Sequence, residues 1–484
     1  MAYFEKILIA NRGEIALRIL RACHDLDIKA VVAYSDADRE SLAVRLADEA
    51  VCIGPAPAAK SYNHIPAIIS AALATGCDAI HPGYGFLSEN AYIAEICREC
   101  NLTFIGPEPG TIELMADKAE ARQAAMRAKI PVIPGTSTPL GASVDIPRLT
   151  KDIGFPMMLK AVAGGGGRGM RIVNDERELL RLLPVAQAEA QSAFNNGGIY
   201  AERYLQRPRH IEVQVLGDRH GKVLAFGERD CSLQRRHQKL IEESPAPGIS
   251  KKLRQNLERD ALKLARAIRY SGAGTFEFLV DADEKHYFIE ANTRIQVEHP
   301  VTEAVTGIDL IAWQIRVAAG EHLPWDQDDI VFRGHAIECR VNAENAAANF
   351  MPSTGIVSGY LAPGGPGIRV DSHLYSGYTV PPNYDSLIGK IIAWGATREE
   401  AIARLRRALS ETVIGGIYTT IPFALRVLEH PTFKAGKVDT ALVGEMVEEF
   451  ARTPLQAWEP ALGTSQQQGQ ASTGAAGSET VETA

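Results

Sequence analysis

From Glu5 to about Gly106, short apolar runs alternate with stretches of helical periodicity, and this alternation limits the possible folds more than any other feature. Ile7 to Ala10, Ala30 to Tyr34, Ala79 to His81 and Thr103 to Ile105 read as strands. Between the first two, Ile15, Ile19, Leu20 and Cys23 share one helical face, with Arg18 and Arg21 on another. Repeated strand–helix units imply a parallel sheet covered by helices, so the N-terminal third is expected to be doubly wound α/β. A nicotinamide site on such a sheet needs G-x-G-x-x-G after the first strand. The turn here is Ala10-Asn11-Arg12-Gly13, which argues against a dehydrogenase.

The pattern then changes twice. A glycine run lies at the centre of 133–204, and long alternating strands fill His210 to His299, with a hairpin expected around Gly217 to Gly221. From Arg333 to Phe450, strands mix with a Gly/Pro-rich loop (Ala362 to Gly367) and give way to helices. The chain has 484 residues, and at about 150 residues per domain that suggests three domains. From Thr464 to Ala484 the composition is too polar and too small-residue-rich to order itself, so a disordered tail is expected. The net charge of −8 lacks the footprint of a nucleic-acid binder. No apolar run is long enough to span a bilayer, and the N-terminus resembles a first strand, not a signal peptide. Seven thinly spread cysteines fit a reducing cytoplasm, and Cys97-x-x-Cys100 has no second pair with which to hold zinc.

Three patterns carry chemistry. Gly164 to Gly167, between Lys160 and Arg168, lies between two strand-like segments, Pro156 to Ala161 and Met170 to Val173. That places a glycine loop at a hairpin tip, where backbone N–H groups can close over phosphates as a mobile flap. In Glu290-Ala-Asn292-Thr-Arg294-Ile-Gln296-Val-Glu298, an extended backbone would put every polar residue on one face. A turn across Asp281 to Lys285 would bring Glu277 beside Glu290, so that two carboxylates and the Asn292 carbonyl converge on Mg²⁺. The alternative is a structural ion pair at Glu277. Third, His210, Glu212 and Gln214 form a polar strand face, and Glu228 to Lys239 is dense in cations and amides, which suggests local anion binding.

Together Asn11 to Ala16, His81 to Asn90, the glycine loop, Gln234 to Lys239 and Glu290 to Glu303 resemble biotin carboxylase, with similarity from about Glu5 to Phe450. The resemblance implies a multidomain chain of α/β and α+β parts. These are a Rossmann-like N-terminal domain (1–115), an ATP-grasp domain (116–330) with a mobile lid (133–204), a mixed C-terminal domain (331–450), and a tail (451–484). It implies ATP-dependent carboxylation of biotin by bicarbonate through carboxyphosphate, with Mg²⁺ or Mn²⁺. Lys118, Lys160, Gly164, Gly165, Gly166, Gly167, Glu202, Leu205, His210, Gln234 and His237 look like the nucleotide site. Glu277, Glu290 and Asn292 resemble metal ligands. Lys239, Arg294, Gln296, the Val297 backbone and Glu298 resemble the bicarbonate and carboxyphosphate site, with Glu298 the base. Arg340 looks like the group that steadies the biotin enolate.

Implied partners are a biotin carboxyl carrier protein, carboxyltransferase subunits as in acetyl-CoA carboxylase, and a second copy of the chain. Arg18, Arg21 and Asp25 match the pairing surface, whereas Pro366 replaces an aromatic there. None of the eight methionines precedes a lysine, so the chain is expected to carry no biotin of its own. A carbamoyl-phosphate synthetase would lack the match around Arg340, and a silent scaffold would show gaps in this set.

Overall fold

In the computed structural model, which describes residues 4–136, 138–140, 145–161, 170–194 and 196–452, the N-terminal alternation forms a parallel sheet. Its strands are β1 (Lys6–Ile9), β2 (Lys29–Ser35), β3 (Glu49–Gly54), β4 (Ala79–His81) and β5 (Thr103–Phe104), in the order β3-β2-β1-β4-β5. β3 has no counterpart in the sequence reading. It is an edge strand whose short apolar run, Ala50 to Ile53, buries only Ile53. Helix α1 (Gly13–Asp25) buries Ile15, Ile19, Leu20 and Cys23 as expected. Arg18 is buried too, because it donates to Glu303 at 3.0 Å and to Asp309 at 2.6 Å within its own chain. Cys97 is a buried helix residue and Cys100 caps the same helix, Ala91–Glu99.

The lid segment is a small antiparallel sheet of β6 (Met157–Ala161), β7 (Arg171–Val173) and β8 (Ile199–Arg203), ordered β7-β6-β8. Helix α2 (Glu176–Phe194) covers it through Leu179, Leu183, Ala186 and Ala190. Met157 pairs with Val173 and Leu159 with Arg171, so the strands flanking the glycine run do form a hairpin. Gly164, Gly165, Gly166 and Gly167 lie outside the described residues.

The central sheet has eight strands. They are β9 (Arg209–Gly217), β10 (Val223–Arg235), β11 (Gln238–Ser244), β12 (Gly272–Val280), β13 (His286–Asn292), β14 (His335–Asn342), β15 (Ile368–Ser372) and β16 (Leu387–Gly395), ordered β13-β12-β9-β10-β11-β14-β16-β15. The Gly217–Gly221 hairpin joins β9 to β10, as expected. One face packs on α3 (Lys251–Ala267), whose Leu253, Leu257, Ala261 and Leu264 meet Phe276 and Phe278. Pairing of β11 with β14, Ile241 opposite Cys339, carries the sheet across the boundary expected near 330. The third region therefore supplies strands to the sheet that bears the polar cluster. Its last helix, Leu442–Arg452, runs past the boundary expected at 450, and the tail beyond lies outside the described residues.

Candidate active site

The turn across Asp281 to Lys285 pairs Phe278 with Phe288, and a register shift just beyond it places Glu277 directly opposite Glu290. On the other side of β12, β9 sets Glu212 opposite Glu277. Side-chain alternation thus collects carboxylates on one face of the sheet. Lys239, at the start of β11, answers them: its ammonium donates to Glu212 and Glu298 at 2.6 Å each and to Glu277 at 3.3 Å. Arg229 binds Glu212 at 2.6 Å and Gln214 at 2.7 Å, wholly buried. Arg340 in β14 reaches Glu242 at 2.6 Å and Glu298 at 2.9 Å.

Glu298 has no exposed surface. Burial alone would push its carboxyl up, but Lys239, Arg340 and Arg229 hold it well below the usual carboxylate range. The same acids hold the Lys239 ammonium well above its ordinary value despite burial. Glu277 is likewise lowered against its burial, by Lys239 and by His210, whose Nε2 lies 2.6 Å from it. Burial and the Glu277 charge raise Glu290, which makes no hydrogen bond among the described residues. Cys231 lies 3.7 Å from Glu298, and burial pushes its thiol well up.

The row from Glu290 to Glu298 departs from its expectation. Strand β13 ends at Asn292, and 293–298 turn into helix α4 (His299–Thr306), with Glu298 as its N-cap residue and Pro300 in its first turn. Proline suits that first turn and ends an extended run. Ile295 dives into the core beside Ile9 and Ile15. Polar side chains still converge, but through a loop rather than along one strand face. Arg294 does not touch Glu298; it holds Asn292 Oδ1 at 3.0 Å, Gln296 Oε1 at 3.1 Å and Glu89 at 3.0 Å. Asn292 offers its NH₂, not its carbonyl oxygen, to Glu277 at 2.6 Å. The three oxygens expected around a metal therefore do not converge until that amide turns over. Gln296 donates to Thr275 at 3.0 Å and Glu277 at 3.3 Å.

The remaining residues ring this centre. Lys160 in β6 pairs with Glu202 in β8. Lys118 opens an exposed helix, Lys118–Arg127, and its charge reaches Glu290. Leu205 is half-buried after β8, and Gln234 and exposed His237 flank the β10–β11 turn. The sequence patterns point to no role for Glu242, Glu338 or Glu89, and to Arg229 only as part of the cationic run Glu228 to Lys239. Period-two alternation of Glu338 with Arg340 was the available signal. Glu89 also accepts from the Thr293 backbone N–H at 3.1 Å, so it ties the 293–298 loop to the N-terminal sheet. Because the Glu89 side chain is 38% exposed, Glu89→Ala should raise the bicarbonate KM by only about two- to tenfold. Steady-state kinetics with bicarbonate varied at saturating ATP checks this.

A hairpin lid beside a sheet that presents acids and cations on one face is the architecture of an ATP-grasp ligase. Family models place it further: "Biotin carboxylase, N-terminal domain" matches 3–112, "Carbamoyl-phosphate synthase L chain, ATP binding domain" matches 117–325, and "Biotin carboxylase C-terminal domain" matches 338–445. The biotin carboxylase of Nostoc sp. is 55% identical over 443 residues, 92% of this chain and 99% of its own length. Biotin carboxylase 1 of Bacillus subtilis is 53% identical, covering 90% and 97%. A Campylobacter jejuni biotin carboxylase solved with a β,γ-ATP compound superposes with a TM-score of 0.86 at 51% identity, covering 91% and 99%. The biotin carboxylase domain dimer of Hydrogenobacter thermophilus 2-oxoglutarate carboxylase, solved with MgADP, ADP and bicarbonate, gives 0.86 at 45% identity, covering 94% and 100%. The chain belongs to the biotin carboxylase family, ATP-grasp ligases whose reaction is the ATP-dependent carboxylation of biotin.

Proposed function

We propose that this chain carboxylates biotin carried on a separate carrier protein, using bicarbonate and MgATP through carboxyphosphate. It does so as a cytoplasmic homodimer serving carboxyltransferase subunits, as in the acetyl-CoA carboxylase of fatty acid synthesis. The observation that carries the reading is Glu298, a fully buried carboxylate held between the Lys239 ammonium and the Arg340 guanidinium. Those two cations rest on Glu298. An arriving bicarbonate and γ-phosphate draw them off, and the carboxylate becomes basic enough to take the bicarbonate proton. Arg294 and Gln296, with the Val297 backbone, receive the bicarbonate, and Lys239 neutralises charge on the transferring phosphoryl group.

The nucleotide is held by Lys118, Lys160, Glu202, Leu205, His210, Gln234, His237 and the glycine run from Gly164 to Gly167. Glu277 and Glu290 fit a divalent cation because they face each other and Glu290 has no hydrogen bond among the described residues. Asn292 would join them once its amide turns over. A bound Mg²⁺ or Mn²⁺ supplies charge neutralisation at the phosphates. In the second step the released phosphate deprotonates the biotin ureido nitrogen, and Arg340 steadies the enolate that captures CO₂.

Oxygen accounting tests this route. A bicarbonate oxygen bonds to the γ-phosphorus as ADP leaves. When carboxyphosphate splits, its C–O bond breaks and that oxygen stays on phosphorus. With ¹⁸O-bicarbonate, MgATP and free biotin, the inorganic phosphate should therefore carry one ¹⁸O from bicarbonate. Bicarbonate-stimulated turnover that yields unlabelled phosphate would refute the route.

A further inference from the structure

Lys390 in β16 lies opposite Arg340 in β14 and Asp371 in β15, and its side chain is wholly buried. Its ammonium donates to the Val297 carbonyl oxygen at 2.7 Å and pairs with Glu14 Oε1 at 3.2 Å. Tyr84 donates to the same Glu14 oxygen. The Lys390 ammonium thus joins β16 to the first turn of α1 and to the 293–298 loop, and Glu14 links it on to the loop after β4. Burial opposes the charge, yet Glu14, Glu338 and Asp371 hold it above its ordinary value, with Arg369 the opposing cation nearby. An apolar side chain of similar length would fill this space without the desolvation cost of an ammonium. The donor itself must therefore do something.

What it does follows from the peptide it touches. Residues 293–298 belong to no strand, so the Val297 carbonyl has no ladder partner. Fixing that oxygen fixes the peptide plane shared with Glu298. The preceding plane, which carries the Val297 N–H, is held separately: His299 Nδ1 lies 2.7 Å from the Gln296 carbonyl oxygen and must carry the proton there. Burial drives His299 well below the ordinary imidazole range and keeps it neutral. Two successive peptide planes of the loop are thereby held by side chains of this chain.

We propose that Lys390 is a positioning residue for the carboxylation reaction: from the C-terminal region it anchors the Val297 carbonyl and so aims Glu298 at bicarbonate. This rests on the assignment of 294–298 to bicarbonate made above. Lys390 touches neither nucleotide residues nor the facing acids Glu277 and Glu290 in this arrangement.

The test is a split in kinetic constants. In Lys390→Met, kcat/KM for bicarbonate should fall about tenfold or more, while the KM for ATP stays within about twofold. Glu14→Gln removes the counter-charge, keeps the shape, and should move the same constant in the same direction by less. Equal losses for bicarbonate and ATP mean general loosening and overturn the proposal, as does an unchanged bicarbonate constant. If Lys390→Met does not fold, Glu14→Gln decides by the same criteria. A wild-type enzyme without bicarbonate stimulation removes the underlying assignment, and Lys390 with it. A stimulated wild type beside an unaltered Lys390→Met removes the positioning role alone.

Discussion

Glu298→Gln should lower bicarbonate-dependent ATP hydrolysis by about 10²–10⁴-fold, the usual cost of losing a general base. The substitution keeps the shape of the side chain and takes away its charge and its ability to accept a proton. Its effect on the site can be read from the bonds it alters. Glu298 Oε1 meets Lys239 at 2.6 Å and Oε2 meets Arg340 at 2.9 Å. Glutamine keeps one acceptor and turns an NH₂ toward the other cation, so about 1–3 kcal/mol of stability should also be lost. Nucleotide affinity should survive, because Lys160 bonds to Glu202 and not to Glu298, whose partners are Lys239 and Arg340. The measurement is ATP hydrolysis with and without bicarbonate, in the presence of free biotin. A mutant that hydrolyses ATP as fast as wild type when bicarbonate is added would show that Glu298 is not the base.

How far the sequence could lead is clearest at this residue. The expected pairing of Glu277 with Glu290 is present, but it rests on an irregularity: the turn pairs Phe278 with Phe288, and a register shift then sets Glu290 rather than Ile289 opposite Glu277. Period-two alternation, extended to Glu298, overshot. The ladder stops at Asn292, and Ile295 and Pro300 redirect the chain into the core and into α4. Polarity in the 293–298 loop alternates because side chains alternate between the core and the site, not because the backbone is a strand. The motif resemblance singles out Glu298, Lys239 and Arg340, while the contacts that join them are visible only in the fold.

Other gaps have similar physical causes. β3 does carry a short apolar run, Ala50 to Ile53, but as an edge strand it buries only Ile53, so burial does not set it apart as it does the inner strands. Pairing of β11 with β14 links residues nearly a hundred positions apart, and no local pattern encodes such a contact. Glu242 and Glu338 face each other through that pairing, and three of their four carboxylate oxygens are buried without a hydrogen-bond partner. Burial raises Glu242 to about 7 and Glu338 well above the usual range. Carboxyls that read as ordinary strand residues are thus part of the electrostatic setting of Arg340, visible only once the strands are paired.

Lys239→Met should show the largest loss of stability, and the loss should grow as pH rises. The Lys239 side chain is 11% exposed and serves three buried acids: Glu212, Glu277 and Glu298. Removing one partner from a buried ion pair typically costs about 3–5 kcal/mol, because the remaining charge is left without compensation. Here each acid keeps one other partner, Arg229, His210 and Arg340 respectively, so the fold should persist. In the wild type Glu277 and Glu298 are held below the ordinary carboxylate value chiefly by Lys239 acting against burial, so the native state favours their ionised forms. Without the ammonium, burial and mutual repulsion raise them. A carboxyl raised above its unfolded value stabilises the fold below that value and loses the contribution as pH climbs through the folded one. The melting-temperature gap between wild type and Lys239→Met should therefore be small near pH 5 and widest near pH 8, with bicarbonate-dependent hydrolysis abolished throughout. Thermal unfolding at several pH values measures the gap directly. Parallel curves would mean that Lys239 does not hold these acids ionised, and that the charge balance assigned to the site is wrong.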